Sequence, residues 1–159
     1  MVVEGMDLYI AGFWFVLAAL TILAWTWRDR DAAGRTLSGQ PELDVAALFW
    51  AAALLTVLAR PSLATRFSLI EHALLIVDVG LLAGLTWVAV RSGKVWILCA
   101  AALHLISSVA HLARLVTPNM WRLGYQVMEE ASSYPVLLLL AWGVMSHRLA
   151  TKRMRSSSI

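Results

Sequence analysis

The sequence predicts an all-α fold, a polytopic transmembrane helical bundle forming one domain over residues 1–159, and three observations carry that expectation. Hydrophobic residues make up 60% of the chain and charged residues only 14%, against about 45–50% and about 25% in ordinary soluble domains. Mean hydropathy is +0.74, so there is too little polar surface to cover a soluble globule of this size. The apolar residues are also gathered into segments near the length a bilayer demands, about 20 residues of helix. The same composition excludes intrinsic disorder and a coiled coil, and the lone Cys99 excludes a disulfide framework. Although the pI is near 9.5, no nucleic acid is expected as a partner. The expected surroundings are a lipid bilayer.

Five spans are expected, at about residues 8–27, 45–59, 68–90, 95–113 and 131–147. The first is free of charge, and the residues before it carry Glu4 and Asp7 but no Lys or Arg. A cleaved signal peptide needs a basic start, so this segment reads as a retained helix. The second, at fifteen residues, reaches only about 22 Å against a hydrocarbon core of about 30 Å. Its start has the chemistry of a helix N-terminus: Gln40-Pro41-Glu42-Leu43-Asp44 supplies a proline and two acids to a first turn. Arg60-Pro61 closes it. The third span carries Glu71, His72 and Asp78, and the fourth carries His104 and His111. Pro135 falls inside the fifth, where a kink or break is expected. Residues 117–130 read as a short interfacial or partly re-entrant segment.

Lys and Arg in the connections set the orientation. An outside N-terminus and a cytoplasmic C-terminus put nine basic residues inside and four outside. A four-span alternative, in which the second segment does not cross, divides them seven to six. Trp25, Trp27, Trp87 and Trp96 then fall at cytoplasmic helix ends, in keeping with the interfacial preference of aromatic rings. The tail, with Arg148, Lys152, Arg153 and Arg155, reads as a basic flank beside anionic lipid, and His147 as a solvated interfacial residue. The longest connection apart from 117–130, residues 28–44, leaves no room for a soluble catalytic domain. No phosphate loop, Cys-x-x-Cys, Gly-x-Ser-x-Gly or His-Glu-x-x-His motif occurs.

The ionisable residues inside the spans are the functional candidates, because a charge at the bilayer centre costs about 2.5–3.5 kcal/mol. Glu71 and Asp78, seven apart, share a face of the third helix; His104, Ser107, Ser108 and His111 follow i, i+3, i+4, i+7 on the fourth. Arg91-Ser92-Gly93-Lys94 makes a tight turn between them, so residues of an antiparallel hairpin lie at equal depth when their numbers sum to about 185. That rule predicts a buried polar cluster of Asp78, His104, Ser107, Ser108 and His111, closed by a Glu71–Arg114 ion pair. One reading is that these groups satisfy one another and lock helix register. A second is a proton or ion relay. A third is a b-type haem, for which His72 and His111 are the only bis-histidine pair the hairpin offers. Gly80 and Gly84 form a small-xxx-small pair on another face, suited to helix packing or to a second copy. Cys99 reads as a small buried apolar residue.

Val77-Asp78, Arg91-Ser92, Trp96, His111-Leu112 and Pro118 together form a pattern that resembles uncharacterised small bacterial polytopic integral-membrane proteins. The resemblance covers the third and fourth helices. It implies a compact multi-pass protein of the bacterial inner membrane, with no activity or cofactor attached. The expected function is that of a non-enzymatic accessory or partner-binding membrane subunit, as a homo-oligomer or within a larger membrane complex, with no cofactor expected. Two alternatives stand beside it: a proton or small-solute translocator using Asp78, His104 and His111, and a haem b or quinone-binding redox anchor.

Overall fold

The computed structural model describes residues 2–27, 40–59, 68–116 and 133–156. The side chains of 2–8, 59, 68–72, 114–115 and 151–155 fall outside that description, as does the expected interfacial segment at 117–130. The described residues form five α-helices: α1 (Val2–Thr26), α2 (Pro41–Ala59), α3 (Ser68–Ser92), α4 (Val95–Val116) and α5 (Ser133–Ser156). Helices consecutive in the chain pack on one another, and α5 closes the ring against α1 and α2 as well as α4.

Helix α2 is longer than its apolar run. Backbone bonds from Leu43 N–H and Asp44 N–H to the Gln40 carbonyl, at 3.0 and 3.2 Å, make Gln40 the N-cap and Pro41 the first helical residue. Glu42 and Asp44 occupy the first turn, where the positive dipole end favours acids. The resulting 19 residues span about 28 Å, close to a hydrocarbon core of about 30 Å. Helix α5 differs in the opposite sense. It begins at Ser133, so Pro135 sits in its first turn, where a missing N–H costs nothing. The expected kink is therefore absent. Four helices, α1 to α4, are long and apolar enough to cross a membrane. The weaker fifth member is α5, whose C-terminal turns hold Arg148, Lys152, Arg153 and Arg155, rather than the short second segment.

Between α3 and α4 the chain turns in two residues. Gly93 takes φ +65°, a left-handed conformation open to glycine at little cost. Its N–H bonds the Ala89 carbonyl at 2.9 Å, as in a helix C-cap. The Lys94 carbonyl then accepts from Ile97 N–H at 3.1 Å and starts α4.

Each helix contributes one of the five largest fully buried side chains: Leu17, Val45, Leu85, Ile97 and Leu140. Four of these sit toward the end of the bundle that holds the α1 C-terminus and the α3–α4 turn, and Leu140 lies near the middle of α5. Two glycines admit close neighbours there. A Cβ on Gly143 would lie 2.5 Å from the Trp96 ring, and one on Gly84 would lie 2.8 Å from Leu48. Trp96, at a helix end as expected, is thus buried, whereas Trp25 and Trp87 are exposed. Gly84 serves α2–α3 packing, but Gly80 is exposed and has open space where a Cβ would stand. Within one copy of the chain, Gly84 meets a neighbouring helix and Gly80 meets none among the described residues. Cys99 is exposed, contrary to expectation, because it lies about 180° around α4 from Ser108, on the face opposite the polar stripe.

Outward faces are apolar throughout: Phe15, Leu58, Ile76, Val90, Val95 and Val116 are all more than 70% exposed. A soluble monomer rarely shows apolar surface on this scale. At one end of the ring, the Arg148 guanidinium lies 3.9 Å from the centroid of the Trp27 ring, joining the ends of α5 and α1 by a cation–π contact.

The close α4–α5 contact predicts that Gly143→Ala lowers stability by about 1–3 kcal/mol, because the added methyl meets a buried indole. Gly80→Ala should leave it unchanged or slightly raised, since the methyl meets nothing and alanine favours helix. Reversible unfolding in mixed detergent micelles measures both.

Candidate functional site

Asp78 lies at mid-length in α3 with its side chain 18% exposed, and the polar stripe of α4 gathers around it. His111 Nε2 stands 3.0 Å from Asp78 Oδ2. Ser107 Oγ donates to the same oxygen at 3.4 Å. His104 Nε2 is 3.1 Å from the Asp78 backbone carbonyl and 3.7 Å from Oδ1. A carbonyl only accepts, so the first of these contacts places a proton on His104 Nε2. Ser108 does not reach Asp78; its hydroxyl donates to the His104 carbonyl at 3.2 Å within α4. His104, Ser107, Ser108 and His111 are all buried.

This arrangement follows from two local features. The i, i+3, i+4, i+7 spacing puts the α4 groups on one stripe, and the two-residue turn holds that stripe against α3 at the depth of Asp78. Oδ2 thus takes two donors, while among the described residues Oδ1 accepts no hydrogen bond. The side chains of Glu71, His72 and Arg114 lie outside the described residues, and with them the expected ion pair and one of the two haem candidates. His111, the other, has its Nε2 on Asp78, so binding iron through that nitrogen would break the shortest contact of the cluster. Among the described residues no three His, Cys, Asp or Glu side chains converge to hold a metal ion.

The cluster forms one wall of a cavity of about 250 Å³. Asp78, His104, Ser107 and His111 line it from α3 and α4; Tyr9, Phe13 and Trp14 face it from α1 and Phe49 from α2. Its remaining lining includes Thr56, Leu74 and Ser133, residues near the C-terminus of α2 and the N-termini of α3 and α5. The cavity therefore occupies the end of the bundle that holds the α1 N-terminus, opposite most of the fully buried leucine-rich core.

The aromatic wall was not among the residues singled out from sequence. Its supports are contacts between distant helices. Tyr134 O–H donates to the Tyr9 carbonyl at 3.0 Å, and the two rings meet edge to face at 4.8 Å. The hydroxyl lies 3.0 Å from where a Cβ on Gly12 would stand. Trp50 Nε1–H donates to Thr21 Oγ1 at 3.0 Å, which itself donates back to Leu17, and Trp14 packs on Trp50 with centroids 5.2 Å apart. A polar side chain within each apolar helix was the available signal, but pairing them needs the helix arrangement. Glu42 is likewise buried at 4% exposure, and its Oε1 has no hydrogen-bond partner among the described residues. His147 is half-buried rather than solvated.

Comparison with protein-family models, curated proteins and solved structures finds no match to the chain. The class of protein rests on its own physical character: a five-helix bundle with four long apolar helices and a polar cluster between α3 and α4.

A double-mutant cycle reads the cluster directly. Asp78→Ala and His111→Ala should couple by about 0.6–1.7 kcal/mol, the range of interhelical hydrogen bonds in membrane proteins. Asp78→Ala with Ser108→Ala should couple near zero, because Ser108 bonds only its own helix.

Proposed function

We propose that the protein is a five-span, multi-pass protein of the bacterial inner membrane, with its N-terminus outside, acting as a non-enzymatic accessory or partner-binding subunit. The observation that carries this reading is the way the central polar groups turn on one another. Asp78 takes donors from His111 and Ser107, and this contact fixes the register of the α3–α4 hairpin. The bundle around it offers broad apolar faces on all sides, as lipid and neighbouring helices require. Orientation follows the Lys and Arg balance, and the Arg148–Trp27 contact falls at the end this balance makes cytoplasmic.

Purification of the full chain from native membranes in mild detergent tests the accessory reading. A stoichiometric membrane-protein partner, or a stable oligomer of the chain itself, is expected; a lone monomer would overturn it.

One observation favours a second reading, a proton or small-solute translocator. Asp78, His104 and His111 line a cavity rather than a sealed interface. Opposing it, the cytoplasmic half of the bundle is filled by Leu17, Val45, Leu85 and Ile97, all fully buried, and a relay needs an outlet on both sides. Liposomes bearing the protein should show no pH-driven flux above empty liposomes. Flux that Asp78→Asn abolishes would establish the translocator instead. The haem alternative requires His111 to exchange Asp78 for iron, and a Soret band in the purified protein would restore it.

A further inference from the structure

We propose that the cavity beside Asp78 is a binding site for a small organic cation, a protonated amine or quaternary ammonium. Three features of its wall point to that chemistry. The first is the acceptor capacity left on Asp78. Its Oδ1 accepts no hydrogen bond among the described residues, and the side chain retains 18% exposure. The second is the aromatic content: Tyr9, Phe13, Trp14 and Phe49 line the same cavity, and aromatic faces attract cations, quaternary ammonium groups above all. The third is the direction of the donors. His104 and His111 present Nε2 to Asp78, and Ser107 gives it its hydroxyl proton. An anionic or carbonyl-rich ligand would have to compete for donors already used, whereas a cation meets a carboxylate with acceptor capacity left.

Size sets the class. At about 250 Å³ the cavity falls below the range of about 300–1,000 Å³ typical of drug-sized ligands. It suits a compact alkylammonium. The same chemistry occurs in a free amine and in the headgroup of an amine-bearing lipid, and the cavity lies near the helix ends, where either can reach it.

Choline and its uncharged isostere dimethylbutanol test the proposal on the full chain in nanodiscs of phosphatidylglycerol alone. Trp14 lines the site, so tryptophan fluorescence reports occupancy. Choline should give a saturable change, with the isostere at least about tenfold weaker. Asp78→Asn should weaken choline by a similar factor, and Phe13→Leu, which removes an aromatic ring of the lining and leaves Trp14 as reporter, should weaken it with the acid intact, a second variant that does not depend on Asp78 for folding. Equal binding of choline and isostere, or no saturable binding of choline to the wild-type chain, would overturn the proposal. In nanodiscs that also contain phosphatidylethanolamine or phosphatidylcholine, loss of choline affinity would support the site with lipid as the source. Unchanged affinity there would support a free amine.

Discussion

A carboxylate held among apolar helices must find donors, because no bulk water is present to supply them. Asp78 finds them on α4, and that requirement organises the molecule. A charge at mid-bilayer costs about 2.5–3.5 kcal/mol on the insertion scale, and single interhelical hydrogen bonds return only about 0.6 kcal/mol on average. The cluster therefore does not make the bundle stable by itself. Its effect is selective: in the register observed Asp78 meets both His111 and Ser107, and a slip of α3 along α4 would give up one or both of these contacts. The left-handed Gly93 reinforces this choice, since a two-residue turn leaves little slack.

From that hairpin the rest of the ring follows. Helix α2 packs on the far side of α3 through Leu48 and Gly84, and α5 packs on α4 through Trp96 and Gly143. Helix α1 closes the circle through the Trp50–Thr21 and Tyr134–Tyr9 hydrogen bonds. The contacts are unequal along the bundle axis. At one end small residues and leucines fill the interior, and at the other bulky aromatic side chains from α1 and α2 stand around the Asp78 cluster without closing on it.

Much of the hairpin was legible in the sequence, because it depends on local rules. The spacing of His104, Ser107, Ser108 and His111 assigns a face, the Ser92-Gly93 turn assigns a depth, and Asp78 with Ser107 sums to the expected 185. The structure brings four of those five side chains around a common centre and leaves Ser108 on its own helix. Features set by packing were less legible. Hydropathy alone left the first turn of α2, Pro41 to Asp44, out of the span although its cap chemistry was readable, and treated Pro135 as interior when it lies in the first turn of α5. Cys99 is exposed where burial was expected, since which side of α4 meets α5 is a tertiary choice that places the Trp96 ring over Gly143. The aromatic wall depends on α1 and α2 meeting α5, a relation between segments more than a hundred residues apart (Tyr9 with Tyr134) that no local pattern encodes.

The contact between Asp78 and His111 is the point on which this account rests, and it can be measured in a bilayer. Solid-state NMR on the full chain in lipid, with ¹³C in aspartate and ¹⁵N in histidine, reports the dipolar coupling between Asp78 Cγ and His111 Nε2. With Nε2 at 3.0 Å from Oδ2, a weak but measurable coupling is expected, and it should vanish in His111→Ala while the remaining signals persist. A wild-type spectrum with no aspartate–histidine coupling would contradict the register of the hairpin and everything built on it.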